Sequence, residues 1–194
     1  MRSFIALMSL LFMTACASTP PTPGTAPEIT ALAAALQALS PNVDPREAEL
    51  AATIAYAETY RLARAYQITD PPLIHNAKVN AGRKPRGLCY HWAEDMTRRL
   101  SAEAFKTLEM TRAIANSDRR FLIEHSTAVI TARGAPMEAG IVLDPWRQGG
   151  RLFWSPVASD PRYDWVPRED VLRKRGQIRY AQRTEGSRAA PPAE

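Results

Sequence analysis

The sequence lacks several patterns that would assign it to common functional classes. Its 194 residues contain no Cys-x-x-Cys pair and no His-Glu-x-x-His motif, which are the usual signatures of zinc sites. Lysine and arginine number 25 against 20 acidic residues, but no basic tract alternates with aromatic residues as in nucleic-acid-binding proteins. No internal repeat is present, and no apolar run is long enough to span a membrane as a mature helix. We therefore predict no metal, no cofactor and no nucleic-acid partner.

An apolar run over residues 4–12 follows a single early charge, Arg2. The run ends at Met-Thr-Ala-Cys, where small residues precede Cys16. This pattern resembles the lipobox of bacterial lipoprotein signal peptides. The resemblance implies that residues 1–15 are a signal peptide and that Cys16 is acylated, with a fatty chain such as palmitate, after cleavage. The alternative is an ordinary secretory signal peptide that is cut nearby.

The rest of the chain divides into a tether, a domain and a tail. Residues 17–27 hold four prolines and no charge, so with the acylated cysteine we predict an extended tether over 16–27. Residues 184–194 are polar and rich in alanine and proline, which predicts disorder. Between them, residues 28–183 are long enough for one domain with a core of its own. Cys89 is the only thiol left there, so no intramolecular disulfide is expected.

These features predict a location as well. We expect a monomeric lipoprotein of the cell envelope that faces the periplasm and is held on the membrane by its lipid. Ala17, rather than aspartate, follows the acylated cysteine, which favours the outer over the inner membrane if the cell is Gram-negative.

The stretch Arg-Gly-Leu-Cys-Tyr-His-Trp at 86–92 marks the start of a helix. Four residues recur at three- and four-residue spacing and predict one inward face: Cys89, Ala93, Met96 and Leu100. Three basic residues lie just upstream: Arg83, Lys84 and Arg86. Cationic neighbours and the positive end of a helix dipole favour the thiolate form of a cysteine on the first turn. A buried, inert cysteine is the alternative. His91 is expected to be structural, because Cys-x-His on a helix points the two side chains apart.

Two later segments supply a base and a carboxylate. Residues 121–130 are apolar and β-branched, which predicts a strand that carries His125. Residues 140–146 form a short apolar run that ends at Asp144, followed by a proline. Alternation predicts further strands over 105–111 and 151–154. Cys, His and Asp in this order can serve as nucleophile, base and orienting carboxylate.

The order of Cys89, His125 and Asp144, with the cysteine opening a helix, resembles the transglutaminase-like branch of the papain-type cysteine enzymes. The resemblance covers roughly residues 73–155. It implies an α+β fold, with N-terminal helices and a nucleophile helix packed on an antiparallel sheet of about four strands. It also implies that the three residues are catalytic and that a hydrolase, peptidase or acyltransferase attacks amides of a peptide, protein or peptidoglycan substrate through a Cys89 thioester.

Several assignments stay open at the level of sequence. Papain-type enzymes place an amide side chain in the oxyanion hole, so Asn76 or Asn80 is a candidate, although local backbone hydrogen bonding explains either residue. Three tryptophans can be core aromatics or walls of an acyl-binding cleft: Trp146, Trp154 and Trp165. Two rival functions also remain. One is a non-catalytic lipoprotein that binds peptide or protein with the same fold, and the other is a structural lipoprotein with a chance triad.

Overall fold

The structure is a computed structural model that describes residues 21–177. Within this range the chain is α+β, as predicted, with five α-helices and one five-stranded antiparallel sheet in the order β4-β3-β2-β1-β5. The helices are α1 (Ala26–Gln37), α2 (Pro45–Ala65), α3 (Pro72–Asn80), α4 (Cys89–Ser101) and α5 (Arg168–Lys174). The strands are β1 (Leu108–Ala115), β2 (His125–Ala132), β3 (Ile141–Asp144), β4 (Phe153–Pro156) and β5 (Val166–Pro167). Short 3₁₀ helices are formed by Met137–Ala139 and Val157–Ser159.

The predicted signal peptide, the acylated Cys16 and the predicted tail at 184–194 lie outside the described residues. Within the described part of the chain, no helix has the length and apolar character needed to cross a membrane.

The predicted tether at 16–27 ends too late, because α1 already begins at Ala26. Thr25 caps the helix in a reciprocal box: the Glu28 carboxylate accepts from the Thr25 backbone N–H at 2.8 Å, and the Thr25 hydroxyl accepts from the Glu28 N–H. Gly24 also packs tightly on α2, since a Cβ there would lie 2.4 Å from Tyr56 Cδ1. The folded domain therefore includes residues that composition assigned to the tether.

The two faces of the sheet are covered by different parts of the chain. Helices α1, α2 and α4 pack on one face and form the larger core, which includes Leu32, Leu36, Met96, Leu100, Ala128, Ile130 and Leu143. The opposite face carries a smaller cluster that includes Ala113, Val129, Val142, Val157 and Trp165. Because β2 lies between both layers, all eight of its residues are buried. Polar side chains on β2 therefore need partners inside the protein.

The predicted strand over 121–130 was wrong at its start, because β2 begins only at His125. The neighbouring strand β1 ends at Ala115, which pairs with His125, so the preceding residues have no strand opposite them. Phe121, Leu122 and Ile123 are instead exposed, Phe121 to 93%. An apolar segment therefore lies on the surface next to the candidate base.

Other strand boundaries also differ from prediction. The strand predicted over 105–111 is displaced to β1, because the Glu47 carboxylate accepts from the backbone N–H groups of Lys106 and Thr107 and takes them out of the ladder. The strand predicted over 151–154 is displaced to β4, where Phe153 pairs with Asp144. The two-residue strand β5 pairs with β1 and makes five strands rather than four. A strand of two residues is too short to show an alternating apolar pattern in the sequence.

Candidate active site

The ends of β2 and β3 bring His125 and Asp144 together, as predicted. Val129 pairs with Val142 in the ladder between these strands. Two pairs further along, Thr127 lies opposite Asp144, and His125 lies two residues beyond on the same face. His125 Nε2 and Asp144 Oδ2 are 2.7 Å apart, and both side chains are only 1% exposed. The pair therefore sits in a largely water-excluded setting, where hydrogen bonds between charged groups are strengthened.

Cys89 is the first residue of α4, and a tight turn sets its position. Gly87 has φ +122°, and a Cβ on it would lie 2.4 Å from Nε2 of His75, so a larger residue would be both strained and in steric conflict. That His75 nitrogen donates to the carbonyl oxygen of Arg86 at 2.8 Å. Of the predicted inward face, Ala93, Met96 and Leu100 are buried. Cys89 is only half-buried, because it lies at the helix end beside a groove.

His91 caps the N-terminus of the same helix. Its Nδ1 accepts hydrogen bonds from the backbone N–H groups of Gly87 and Leu88, each at 3.2 Å. A nitrogen that accepts cannot carry a proton, and burial together with the positive charge of Arg86 lowers the pKa of His91. His91 is therefore a neutral capping residue. Among residues 21–177, no three His, Cys, Asp or Glu side chains are grouped so as to hold a metal ion.

The thiol of Cys89 lies next to the imidazole ring of His125. The other ring nitrogen, Nδ1, is buried and has no hydrogen-bond partner within residues 21–177. Burial opposes protonation of the ring, but the hydrogen bond to Asp144 and the interaction with Cys89 raise the pKa of His125 to about 9. The thiol is not aligned with Nδ1 and instead donates to the carbonyl oxygen of Glu124 at 3.8 Å. Loose geometry of this kind is common in sites without substrate.

Arg147 and Asp160 form a second buried ion pair, and Arg147 also binds Asp144. Arg147 Nε donates to Asp144 Oδ2 at 2.9 Å, and the same guanidinium reaches Asp160 with Nη1 at 3.0 Å and Nη2 at 2.6 Å. The side chain of Asp160 is fully buried and that of Arg147 is 7% exposed. Burial opposes the ionisation of Asp160, but hydrogen bonds from Arg147 and Trp165 hold the pKa of Asp160 below its usual value. His125, Asp144, Arg147 and Asp160 thus form one chain of alternating charges.

No protein-family model, curated protein or solved structure matches this chain.

Aromatic rings enclose His125. Trp146, Tyr163 and Trp165 have ring centroids 4.7, 4.8 and 5.4 Å from that of His125. Trp154 packs against the larger core instead, where its Nε1 donates to the hydroxyl of Tyr56 at 3.1 Å. Two of the three predicted tryptophans therefore lie beside the candidate base.

Neither candidate amide side chain shows a role in an oxyanion hole. Asn76 Oδ1 accepts from Nε1 of Trp146 at 3.0 Å, so Asn76 positions the ring that packs on His125. Asn80 is the exposed last residue of α3. The backbone N–H groups at the start of α4 remain as donors next to the thiol.

Cys89 and His125 line two different grooves. One has a volume of 410 Å³ and is lined by Cys89 together with Arg112 and Arg168. The other has a volume of 660 Å³ and is lined by His125, Trp146 and the exposed apolar segment at 121–123. The groove beside the thiol is therefore lined by charged residues, whereas the groove beside His125 is lined mainly by apolar and aromatic residues.

Two of the three basic residues that the sequence suggested beside Cys89 have other partners in the structure. Lys84 donates to the carbonyl oxygen of Gln67 at 2.8 Å, and Arg86 pairs with Asp95 at 3.2 Å. Arg112 and Arg168, which come from β1 and α5, line the groove instead. Only the packing of distant elements brings them together, so no local pattern could have found them.

Proposed function

We propose that the protein is a lipid-anchored cysteine hydrolase of the cell envelope, transglutaminase-like in its catalytic residues, which cleaves amide bonds in peptide or protein substrates. The observation that carries the proposal is the buried His125–Asp144 pair, whose free Nδ1 lies next to a thiol at a helix start. A base held by a carboxylate beside a nucleophile is the arrangement that thiol-dependent acyl transfer needs.

In the proposed reaction, Sγ of Cys89 attacks the carbonyl carbon of an amide. The backbone N–H of Cys89 would stabilise the developing oxyanion. The C–N bond then breaks, and Nδ1 of His125 gives its proton to the leaving amine, which leaves a thioester on the sulfur. Neutral His125 next takes a proton from water, the water oxygen attacks the thioester carbon, and the C–S bond breaks. A carboxylic acid and the starting thiolate–imidazolium pair result. An amine in place of water would give amide exchange.

The decisive experiment follows the acyl group. Purified full-length protein should release amine from peptide amides, and after an acid quench it should carry the mass of the acyl group on Cys89. Neutral hydroxylamine should remove that mass, because it cleaves thioesters. The Cys89→Ala variant should show neither amine release nor adduct. Wild-type protein that gives no amine and no adduct across a varied peptide set would contradict an enzymatic role and favour peptide binding.

Anchoring through Cys16 is the second part of the proposal, supported by the apolar run and the small residues before that cysteine. We expect wild-type protein to fractionate with membranes, and Cys16→Ser to be released or mislocalised, because the acyl chains supply the affinity for the bilayer. Cys89→Ser is the matched control and should stay with the membrane. Equal membrane retention of Cys16→Ser would contradict the lipoprotein proposal.

A further inference from the structure

The groove that exposes Cys89 is lined by more cationic side chains than its own carboxylates neutralise. We call it the arginine groove; Cys89, Arg112, Ser126 and Arg168 lie on its walls, together with two glutamates and a third arginine. Its volume of 410 Å³ is enough for a small organic group next to the thiol. The question is which group would bind there.

Arg112 and Arg168 form no ion pair with a carboxylate in the described part of the chain. Arg112 Nη2 donates to the carbonyl oxygen of Tyr90 at 3.3 Å, while its Nε is buried without any hydrogen-bond partner among residues 21–177. Burial and the positive charge of Arg168 both lower the pKa of Arg112, and the opposing effects of Glu94 and Cys89 offset this only in part. Two like charges side by side, one of them half-buried, are unfavourable unless an anion joins them.

The carboxylates of the groove are already engaged. Glu124 forms a bidentate ion pair with Arg175. Glu94 lies 3.5 Å from Arg86, a residue that does not line the groove. Apart from Cys89, whose thiolate is paired with the imidazolium of His125 in the proposed reaction, three arginines and two glutamates line the groove and leave one net positive charge. A singly charged carboxylate matches that charge, and the planar fork of arginine matches its geometry.

We propose that Arg112 and Arg168 form a carboxylate-binding site beside Cys89, which selects substrates with an acidic group next to the amide that the thiol attacks. The anion site is inferred from the residues that line the groove, whereas its role in substrate choice rests on the proposed function. The carboxylate can come from an acidic side chain or from a free chain terminus, which share this chemistry.

The first experiment tests the anion site without any enzymatic turnover. Iodoacetate and iodoacetamide alkylate thiols by the same reaction, but only iodoacetate is an anion. In full-length protein with Cys16→Ser, Cys89 is the only cysteine, and the ratio of the two rates should exceed that of the same chain unfolded in urea. Arg168→Gln and Arg112→Gln should each lower the ratio by about fivefold, since a partly screened charge pair is worth up to roughly 1 kcal/mol.

The controls separate local from overall charge. Arg46→Gln removes the same charge at an exposed position of α2. The adjacent Glu47 contacts the start of β1, whereas Ile114, near the end of β1, lines the groove, so Arg46 lies at the far end of the sheet. It should leave the ratio unchanged. Arg168→Lys should keep most of the preference, and 1 M salt should reduce it in the wild type. Rate ratios that stay the same in Arg112→Gln and Arg168→Gln would overturn the proposal.

The second experiment tests substrate choice with matched pairs of peptides. Each pair differs only as Glu against Gln beside the cleaved amide, or as a free against an amidated terminus, which distinguishes the two sources of the carboxylate. Wild-type kcat/KM should favour the acidic member, and Arg168→Gln should remove that preference. Iodoacetate preference without amide cleavage would keep the anion site and reject the proposed function. Amide cleavage with neither the iodoacetate preference nor the acidic-peptide preference would reject the anion site and keep the proposed function.

Discussion

Replacing His125 with alanine is expected to lower amide turnover by about 10⁴-fold. The same change should slow the alkylation of Cys89 by iodoacetamide. In the proposed mechanism, the imidazolium of His125 lies next to the sulfur and stabilises the thiolate that iodoacetamide attacks. Without the ring, that stabilisation and the proton donor for the leaving amine are both lost. Rates of alkylation and amine release against pH, measured on both proteins, would show this.

The pH profiles of the two reactions should separate in the wild type. The pKa of His125 is raised to about 9, so the ring keeps its proton through neutral pH and loses it near pH 9. In the proposed reaction, amide cleavage needs that proton for the leaving amine, so kcat/KM should fall above about pH 9. Alkylation needs only the thiolate and should not fall there. An NMR titration of the His125 ring would test the same value directly.

Asp144→Asn separates the orienting carboxylate from the base. An amide keeps one oxygen acceptor for two partners, His125 and Arg147, so the ring should be held in the wrong tautomer or orientation. We expect turnover to fall while alkylation changes less than in His125→Ala. Slow alkylation at every pH, with no response to His125→Ala, would mean that Cys89 is a packing residue and would favour the binding or structural function.

The sequence predicted the parts of the site that depend on local patterns. The apolar spacing along α4, a histidine within one apolar run and a carboxylate at the end of another were enough to single out Cys89, His125 and Asp144. Strand pairing then brings His125 and Asp144 together, because both lie at the same end of the sheet and on the same face.

The rest of the site depends on contacts between distant segments. Asp160 comes from the turn after β4, and nothing in its neighbourhood indicates a fully buried carboxylate. Arg112 lies on β1, where an arginine is usual on a solvent-facing side, and only the position of α5 makes it half of a pair with Arg168. The surface position of 121–123 likewise follows from where β1 ends. The composition of residues 121–123 favoured a strand, but a strand forms only where a neighbouring strand can pair with it.

The largest effect on stability is expected from Arg147→Leu. Arg147 connects two buried carboxylates, Asp144 and Asp160, and its guanidinium lies 3.9 Å from the ring centroid of Phe153. Leucine would fill part of the space but leave Asp160 without its cation and Asp144 with His125 as its one remaining cationic partner among residues 21–177. Removing one partner of a buried ion pair typically costs about 3–5 kcal/mol, so the free energy of unfolding at pH 7 should fall by about that amount in urea denaturation.

The pH dependence of this loss tests its cause. In the wild type, Arg147 and Trp165 keep the pKa of Asp160 low, so this carboxylate contributes stability at neutral pH that is lost as pH falls. In Arg147→Leu the pKa of Asp160 should rise, so protonation relieves the buried charge and the difference between the two proteins should shrink from pH 7 towards pH 4. Arg173→Leu is the matched control, because its ion pair with Asp170 is exposed and should contribute less than about 1 kcal/mol. A loss in Arg147→Leu that is equally small, or independent of pH, would show that the unpaired charge of Asp160 is not the cause of the lost stability.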